Sequence, residues 1–536
     1  MVVKNRFLGF LIWQSIPSTA IFLFFKTLIS TIYSAKTHSF SIPFFPSLVA
    51  SLTFFIFHLS QLLFSASLSV VFSPHPHRPA SPLQLALELI RVLVVSGGSH
   101  ASGSPDFRLR AKVSLGFVLF VVSAALSGLV AASSVCWVNP IGDGARFIGR
   151  VGFRGFLVGL LYGLHYVYKR RWVLEFPIIQ RAPFFSFKMG LPLAAARALK
   201  LSGVAYLFSA TVVPFLPDQL KSKVTVGKFI AEQTLFYLGS FAVFLSWELS
   251  HHLCQVLHTK RFIFAPPKGS AAAETNPSEP LLAALEESNP SSLLQYLAYL
   301  DLCMVSENNV DMWRRAAFFE ESGETYKKVI AVCLRPLEQL ASKLGEALES
   351  SVDKNSQLSN QLLPPTDLGA NPNCREPLNN LQLCTWCART VAALTAHSHE
   401  EDRFGVAQLS GSNAAAISTL ISCLLAVETF MGKTTNVQSP NLMGSAGIKW
   451  ATSSMGRTDI RMRKKRGGPL HSKAYAISDV LRTSIYRVVS AFHDEMQASA
   501  KAGLLDKDWI ISGKPLFGSR EVLLHKLRLF LDFRAS

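Results

Sequence analysis

Few places in this sequence bring reactive side chains together at a spacing that could do chemistry. Cys384 and Cys387 form a Cys-x-x-Cys pair in "CTWC", with Cys374, His397 and His399 nearby, which is the composition of a zinc site. Such a site needs a second close pair of ligands, and His397 and His399 stand nearer to each other than the usual His-x3–5-His. The two thiols also fall in a helical run, Leu381–Leu394, where a cysteine packs as a small hydrophobe. Packing is therefore the reading adopted. "WELSHHLCQVLH", Trp247–His258, clusters Glu248, His251, His252 and His258 as a metal-dependent oxidase would. A di-iron centre needs several such boxes, and the chain has no His-x-x-x-His. Gly97-Gly98 and the Gly-Asp-Gly at 142–144 lack the following Lys-Ser/Thr of a phosphate loop, and no Gly-x-Ser-x-Gly occurs. The chain is read as no enzyme, with no catalytic residue, no cofactor and no metal. The alternative is a membrane-embedded metal-dependent enzyme or transporter working through Glu248, His251 and His252.

The elements that carry these residues divide in two. Hydrophobic residues make up 49% of the 536 and charged residues only 16%, below the ~25% of an average soluble protein. Residues 1–265 hold 24 Lys/Arg and 7 Asp/Glu, a net of +17, whereas residues 266–536 hold 29 and 28, a net of +1. Basic excess confined to a half built of long apolar runs points to membrane topology and away from nucleic acid. No Asn-x-Ser/Thr sequon suggests a glycosylated lumenal domain, so the eight cysteines need not be paired.

Six stretches are long enough to cross a bilayer core, which takes about 20 apolar residues. They are Phe7–Tyr33, Phe44–Phe72, Val113–Val138, Phe147–Tyr168, Leu191–Leu216 and Phe229–Leu249. The first is read as a retained anchor, because its apolar run exceeds that of a signal peptide. Leu83–Val95, interrupted by Glu88 and Arg91, reads as an interfacial or re-entrant helix. With the N-terminus inside, inner segments carry 15 basic residues and outer loops 5, which predicts both termini on the cytosolic side. Lys26, Arg150, Arg154, Arg197, Lys200 and Glu232 fall inside spans and are read as anchors, Arg150 and Arg154 reaching headgroups. Between spans four and five, "WVLEFPIIQRAPFFSFKMGLP" is too polar to span and too apolar for an ordinary loop. Its Trp172, Phe176, Pro177, Gln180, Phe184 and Phe185 are expected at the headgroup boundary, as an elbow that aims span five.

Pro266–Pro280 is a linker by composition, and the domain plan is a membrane domain over 1–260, a linker over 261–290 and a helical domain over 291–536. Beyond the linker, apolar residues recur at helical spacing: Leu293, Leu294, Leu297, Leu300 and Met304; Val329, Val332, Cys333, Leu337 and Leu340; Ile477, Val480, Leu481, Ile485, Val488 and Phe492. A helix cap is expected near Ser478 and Asp479, and a kink at Pro336. Polar stretches near 350–380 and 432–470 read as disordered insertions, the second holding the basic run Arg461–Arg466, either a solvated loop or a lipid- or receptor-binding patch. Arg520–Ala535 is a basic amphipathic helix that lies on a membrane or packs on its own domain. The fold class is all-α: a polytopic membrane domain followed by a helical soluble domain.

Four segments carry a family resemblance. "LEFPIIQRAPFFSFKMGLP" looks like a Phe-Pro-Ile-x-Gln segment before a fifth span. "AYLDLCMVSENNVDMWRRAAFF" resembles a helix ending in paired arginines, Arg314 and Arg315. "HEEDRFGVAQ" is similar to a Glu-Asp-Arg-aromatic-Gly-Val-x-Gln stretch, with Asp402, Arg403, Gly405 and Gln408. "SDVLRTSIYRVVSAF" resembles a late helix with Arg482 and Tyr486. In order and spacing these resemble the transmembrane nucleoporins of the nuclear division cycle family. That resemblance implies a structural protein of the nuclear pore complex, in the nuclear envelope, anchoring the pore scaffold and aiding pore assembly. It implies other nucleoporins as partners, the aladin-type propeller and membrane-binding scaffold nucleoporins, together with the lipid bilayer and without direct nucleic acid.

Overall fold

A computed structural model describes residues 2–37, 48–76, 79, 105–137, 144–212, 226–267, 269–287, 292–357, 377–436 and 469–535. Leu83–Val95, Cys374 and the Arg461–Arg466 run lie outside the described residues, as does most of the two stretches expected to be insertions. The chain divides into two compact units, Met1–Lys260 and Arg261–Ser536. Every element among the described residues is a helix, apart from one isolated bridge between Ser73 and Val173.

The first unit is six long helices: α1 (Val2–Thr37), α2 (Leu48–Val71), α3 (Pro105–Cys136), α4 (Gly144–Tyr168), α5 (Pro183–Val212) and α6 (Val226–Thr259). Each overlaps one of the six expected spans. Two cations of α1 show that it runs antiparallel to α6 and parallel to α3. The Arg6 guanidinium, near the start of α1, donates to the carbonyls of Leu257 (2.9 Å), His258 (2.8 Å) and Lys260 (2.6 Å) at the end of α6. Lys26, in the second half of α1, donates to the carbonyls of Ser134 (3.1 Å) and Trp137 at the end of α3. Both cations thus satisfy the free carbonyls of a helix C-terminus, where a positive charge is also favoured by the helix dipole.

The bundle closes where backbone can approach backbone. Gly155, Gly159 and Gly163 recur every fourth residue along α4 and face α3; a Cβ at Gly159 would collide with the carbonyl of Ala124, and one at Gly155 with the carbonyl of Gly128. Lipid tails give helices no hydrophobic reason to associate, so close packing of small residues is what holds α3 to α4. Gly159→Leu is expected to separate them at about 1–3 kcal/mol or more of overpacking; unfolding in detergent, followed by hydrogen exchange in α3 and α4, should show both helices losing protection together. Arg150 and Arg154, expected to reach headgroups, have partners within the protein. Arg150 pairs with Glu232 at 2.8 Å, while Arg154 is buried against Gln233 (2.9 Å), Ser209 (3.1 Å) and the Phe236 ring, 3.8 Å from its centroid. Partners on α5 and α6 satisfy them inside the protein.

The second unit is all helical as well. Its longest members are α9 (Leu293–Glu307), α11 (Glu324–Gln357), α12 (Leu381–Glu401), α14 (Ser412–Asn436), α15 (Pro469–Ala491) and α18 (Arg520–Ala535). Between them run the short α7 (Ala271–Thr275), α8 (Glu279–Leu285), α10 (Met312–Ala316), α13 (Val406–Leu409), α16 (His493–Lys501) and α17 (Leu505–Trp509). Where composition suggests a linker, α7 and α8 form, and Leu281 and Leu285 are buried. Pro336 sits inside α11 without ending it, and α15 begins at Pro469, leaving Ser478 buried mid-helix where a cap was expected. Among the described residues seven helices are long and apolar enough to cross a membrane, one more than the sequence suggests. The seventh, Ser412–Gly432, is 67% buried inside the protein against 22–50% for the six of the first unit. It is packed by α11, α15 and α18, and a helix apolar all round is what such a position demands. The tail helix α18 packs on its own unit, with Leu523, Leu527 and Leu531 buried and Lys526 bonded to Glu428 at 2.8 Å.

Candidate functional site

In the first unit the polar groups that could act gather at one end, around the loop that joins α4 to α5. Ser73 and the loop bond reciprocally: the Ser73 amide donates to the Trp172 carbonyl (3.2 Å), and the Leu174 amide to the Ser73 carbonyl (3.0 Å). From α6, the Gln255 amide group brackets the loop, donating to the Val173 carbonyl (3.1 Å) and accepting from the Glu175 amide (3.2 Å). Gln180 donates to the Thr259 carbonyl at 3.3 Å. Trp172 packs against the Phe117 ring, and both it and Phe176 are buried in protein, so these two rings turn inward. Pro177 is exposed. The helix α5 starts at Pro183, eight residues before the expected start of span five, because a proline at the first helical position loses no bond. Phe184 and Phe185 therefore lie in its first turn, 70% and 60% exposed.

Below the loop, Glu248 is 1% exposed and receives both arms of the Arg171 guanidinium, at 2.6 and 2.7 Å, with the Tyr162 hydroxyl at 3.1 Å. His251 bonds to the Tyr166 hydroxyl (3.1 Å), whereas His252 meets the Phe187 carbonyl (3.2 Å) and stacks on the Phe187 ring. His251 and His252 thus use ring nitrogens to join α6 to α4 and α5, and the members of the cluster face different neighbours. No group of three His, Cys, Asp or Glu that could hold a metal occurs among the described residues.

In the second unit three of the family-like segments converge on buried ion pairs. Asp301, with no exposed surface, accepts from Arg261 Nε (2.7 Å), Arg314 Nη2 (2.7 Å) and the Phe264 amide (2.9 Å). Arg315, 1% exposed, makes a two-armed bond with Glu401 at 2.9 and 2.5 Å. Next to Glu401, Asp402 accepts from the Phe404 and Ala407 amides at 3.3 and 2.8 Å and so turns the chain into α13, aided by Gly405 at φ +65°. Arg403 and Gln408 point outward. A second pair of arms joins Arg389 of α12 to Glu307 of α9, and Arg487 of α15 reaches both Glu307 (3.9 Å) and His397 (3.3 Å). Arg482 pairs with Glu428 at 2.8 Å, and Tyr486 meets the Phe533 ring edge-on. Arg314 and Arg315 are hubs of packing, not groups displayed to solvent.

Cys384 and Cys387 are buried in the core of α12, with the Cys384 thiol directed at the Pro336 carbonyl. Burial pushes the Cys384 and Cys303 thiols up to about 12 and Cys387 upward too. His397 lies ten residues beyond Cys387 on the same helix, about 15 Å at 1.5 Å per residue, too far to share an ion with the thiols. The expected result is that a maleimide leaves Cys384 and Cys387 unlabelled in the native protein at neutral pH and labels both on unfolding; rapid native labelling would contradict the buried placement.

Sequence reasoning missed the glycine seam and the ion-pair partners. The seam had a legible signal in Gly155, Gly159 and Gly163; the ion pairs did not, because Arg315 and Glu401 lie 86 residues apart. Compared with family models, the chain matches the one described as Nucleoporin protein Ndc1-Nup, over residues 113–378 and 370–498. The match begins inside α3 and runs into α16. No curated protein matches the chain.

Proposed function

Because the chain belongs to the Ndc1-Nup nucleoporin family, we propose that this nucleoporin of the nuclear pore membrane anchors the pore scaffold in the nuclear envelope and supports pore assembly. The observation that carries this reading is that one family match runs through membrane helices and helical unit alike. An anchor needs spans to hold it and a folded body with surfaces for partners, and its work is mechanical and not catalytic. Arg6 at the end of α6 supports an even number of crossings, which leaves the N-terminus and the helical unit on one side of the membrane. The charge bias makes that side the cytosolic, pore-facing one. The aladin-type propeller and membrane-binding scaffold nucleoporins are the partners this reading names.

The test is a tag at the C-terminus, viewed in cells whose plasma membrane alone is permeabilised. A punctate nuclear rim with the tag open to added protease is expected. A tag protected until the nuclear envelope is also permeabilised would place the helical unit in the lumen and overturn the reading.

A further inference from the structure

The residues that follow the last span are strapped to the helical unit at once. Arg261 stands two residues beyond Thr259, the end of α6, which is at most about 7 Å of chain. Its guanidinium holds Asp301 and Asp311, both at 2.7 Å, and Arg314 donates to the Phe264 carbonyl at 2.9 Å. Asp311 closes a short turn, Asn309–Asp311, that runs directly into α10. The spanning stretch of α6 extends to Thr259. This turn therefore stays within reach of two residues and one arginine side chain from the end of the span.

The turn is apolar where it faces out. Val310 is 90% exposed, Met312 50% and Trp313 42%, and Ile263 in the strap is exposed as well. Water disfavours such a group, whereas the next two side chains, Arg314 and Arg315, are buried. The turn presents no free carboxylate to headgroup phosphates, because Asp311 is paired with Arg261 and the preceding Glu307 with Arg389. A tryptophan beside apolar neighbours suits the headgroup level, where its ring is buried and its indole N–H stays wet. A soluble partner would have to be recruited to this turn, whereas the chain itself holds the bilayer beside it.

We propose that Val310, Met312 and Trp313 dip into the headgroup boundary of the bilayer beside the end of α6. They give the helical unit a contact with lipid beyond its covalent tether and limit its swing on that tether. The inference needs only that α6 crosses the bilayer, on whichever side the helical unit lies. A lumenal helical unit would overturn the anchoring role and leave this contact intact.

A photoreactive benzophenone amino acid in place of Trp313, in the full-length chain in phosphatidylcholine nanodiscs, reads the contact directly. Illumination should give an adduct with phosphatidylcholine, seen by intact-protein mass spectrometry. The same probe in place of Leu516 should give on the order of tenfold less, as interfacial binding follows the apolar area inserted. Leu516 is also exposed, but its neighbour Phe517 packs on Gly345. Gly345 lies about 28 Å along α11 from Tyr326, at 1.5 Å per residue, and the Tyr326 ring meets Phe319. Val310→Ser with Met312→Ser, in the chain carrying the probe at 313, should cut the adduct about tenfold. Val310→Leu with Met312→Leu should keep it. Cys384 and Cys387 staying closed to maleimide in the serine variant separates loss of the contact from loss of the fold. No lipid adduct at 313, an equal yield at 516, or an unchanged yield in the serine variant would each overturn the proposal. An adduct with a second copy of the chain in place of lipid would assign the turn to self-association and overturn it too.

Discussion

Asp301→Ala is expected to destabilise the helical unit by about 3–5 kcal/mol, the cost of removing one partner from a buried ion pair. Asp301 has no exposed surface and takes hydrogen bonds from two guanidinium groups and a backbone amide. Arg261 would keep Asp311 at 2.7 Å, but Arg314, 3% exposed, would keep only the Phe264 carbonyl. Its charge would then be buried without a counter-charge, which costs more than the pair itself contributes. Since a whole domain is stable by only about 5–15 kcal/mol, the variant should be largely depleted in cells. Two further variants separate charge from shape. Asp301→Asn keeps the acceptor for the Phe264 amide and should be milder. Asp301→Leu combined with Arg314→Met removes both charges and should recover much of the loss. Hydrogen exchange across α9 and α12 of the full chain reads the effect; unchanged protection in Asp301→Ala would contradict the buried pair.

Glu248→Ala should cost the membrane unit about 3 kcal/mol, at the low end of the same range because Arg171 is itself 13% exposed. Among the described residues Glu248 is the only carboxylate bonded to Arg171, and Arg171 also begins the loop that Gln255 and Ser73 hold. Freed from Glu248, the guanidinium would turn to water, and the start of the loop would follow it. Trypsin reports this directly, because Lys169, Arg170, Arg171 and Arg181 flank or lie in the loop. Cleavage there should be faster in Glu248→Ala than in the parent, with a lower unfolding temperature in detergent. A cleavage rate unchanged while Gln255→Ala accelerates it would shift the role of clasp from Glu248 to Gln255.

How far the fold could be read from sequence depended on the range of the interaction. Span positions rest on local apolar length, and all six reappear as helices. The helical faces of the second unit rest on periodicity, and Leu297, Leu300, Cys333, Leu337, Ile477, Leu481 and Ile485 are buried where that spacing places them. Bounds were less legible: α5 starts at Pro183 because a proline that breaks a helix interior also suits its first position. Partnerships between distant residues were not legible at all. Nothing local tells Arg154 that Gln233 will meet it, or Trp172 that Phe117 will cover it, so both were expected to face lipid headgroups. The apolar helix Ser412–Gly432 shows the converse, since composition alone cannot separate a core helix from a span. The sites followed the same division. The family-like segments were legible as words, whereas their meeting at Asp301, Arg315 and Glu401 required the packed unit.

The central claim, that the helical unit holds the pore scaffold to the membrane, is tested most directly by proximity labelling from a biotin ligase fused after Ser536 in the full chain. The account predicts that scaffold nucleoporins dominate the labelled proteins, the aladin-type propeller and membrane-binding members among them. A labelled set made up of lumenal proteins, or of endoplasmic-reticulum proteins without nucleoporins, would contradict it.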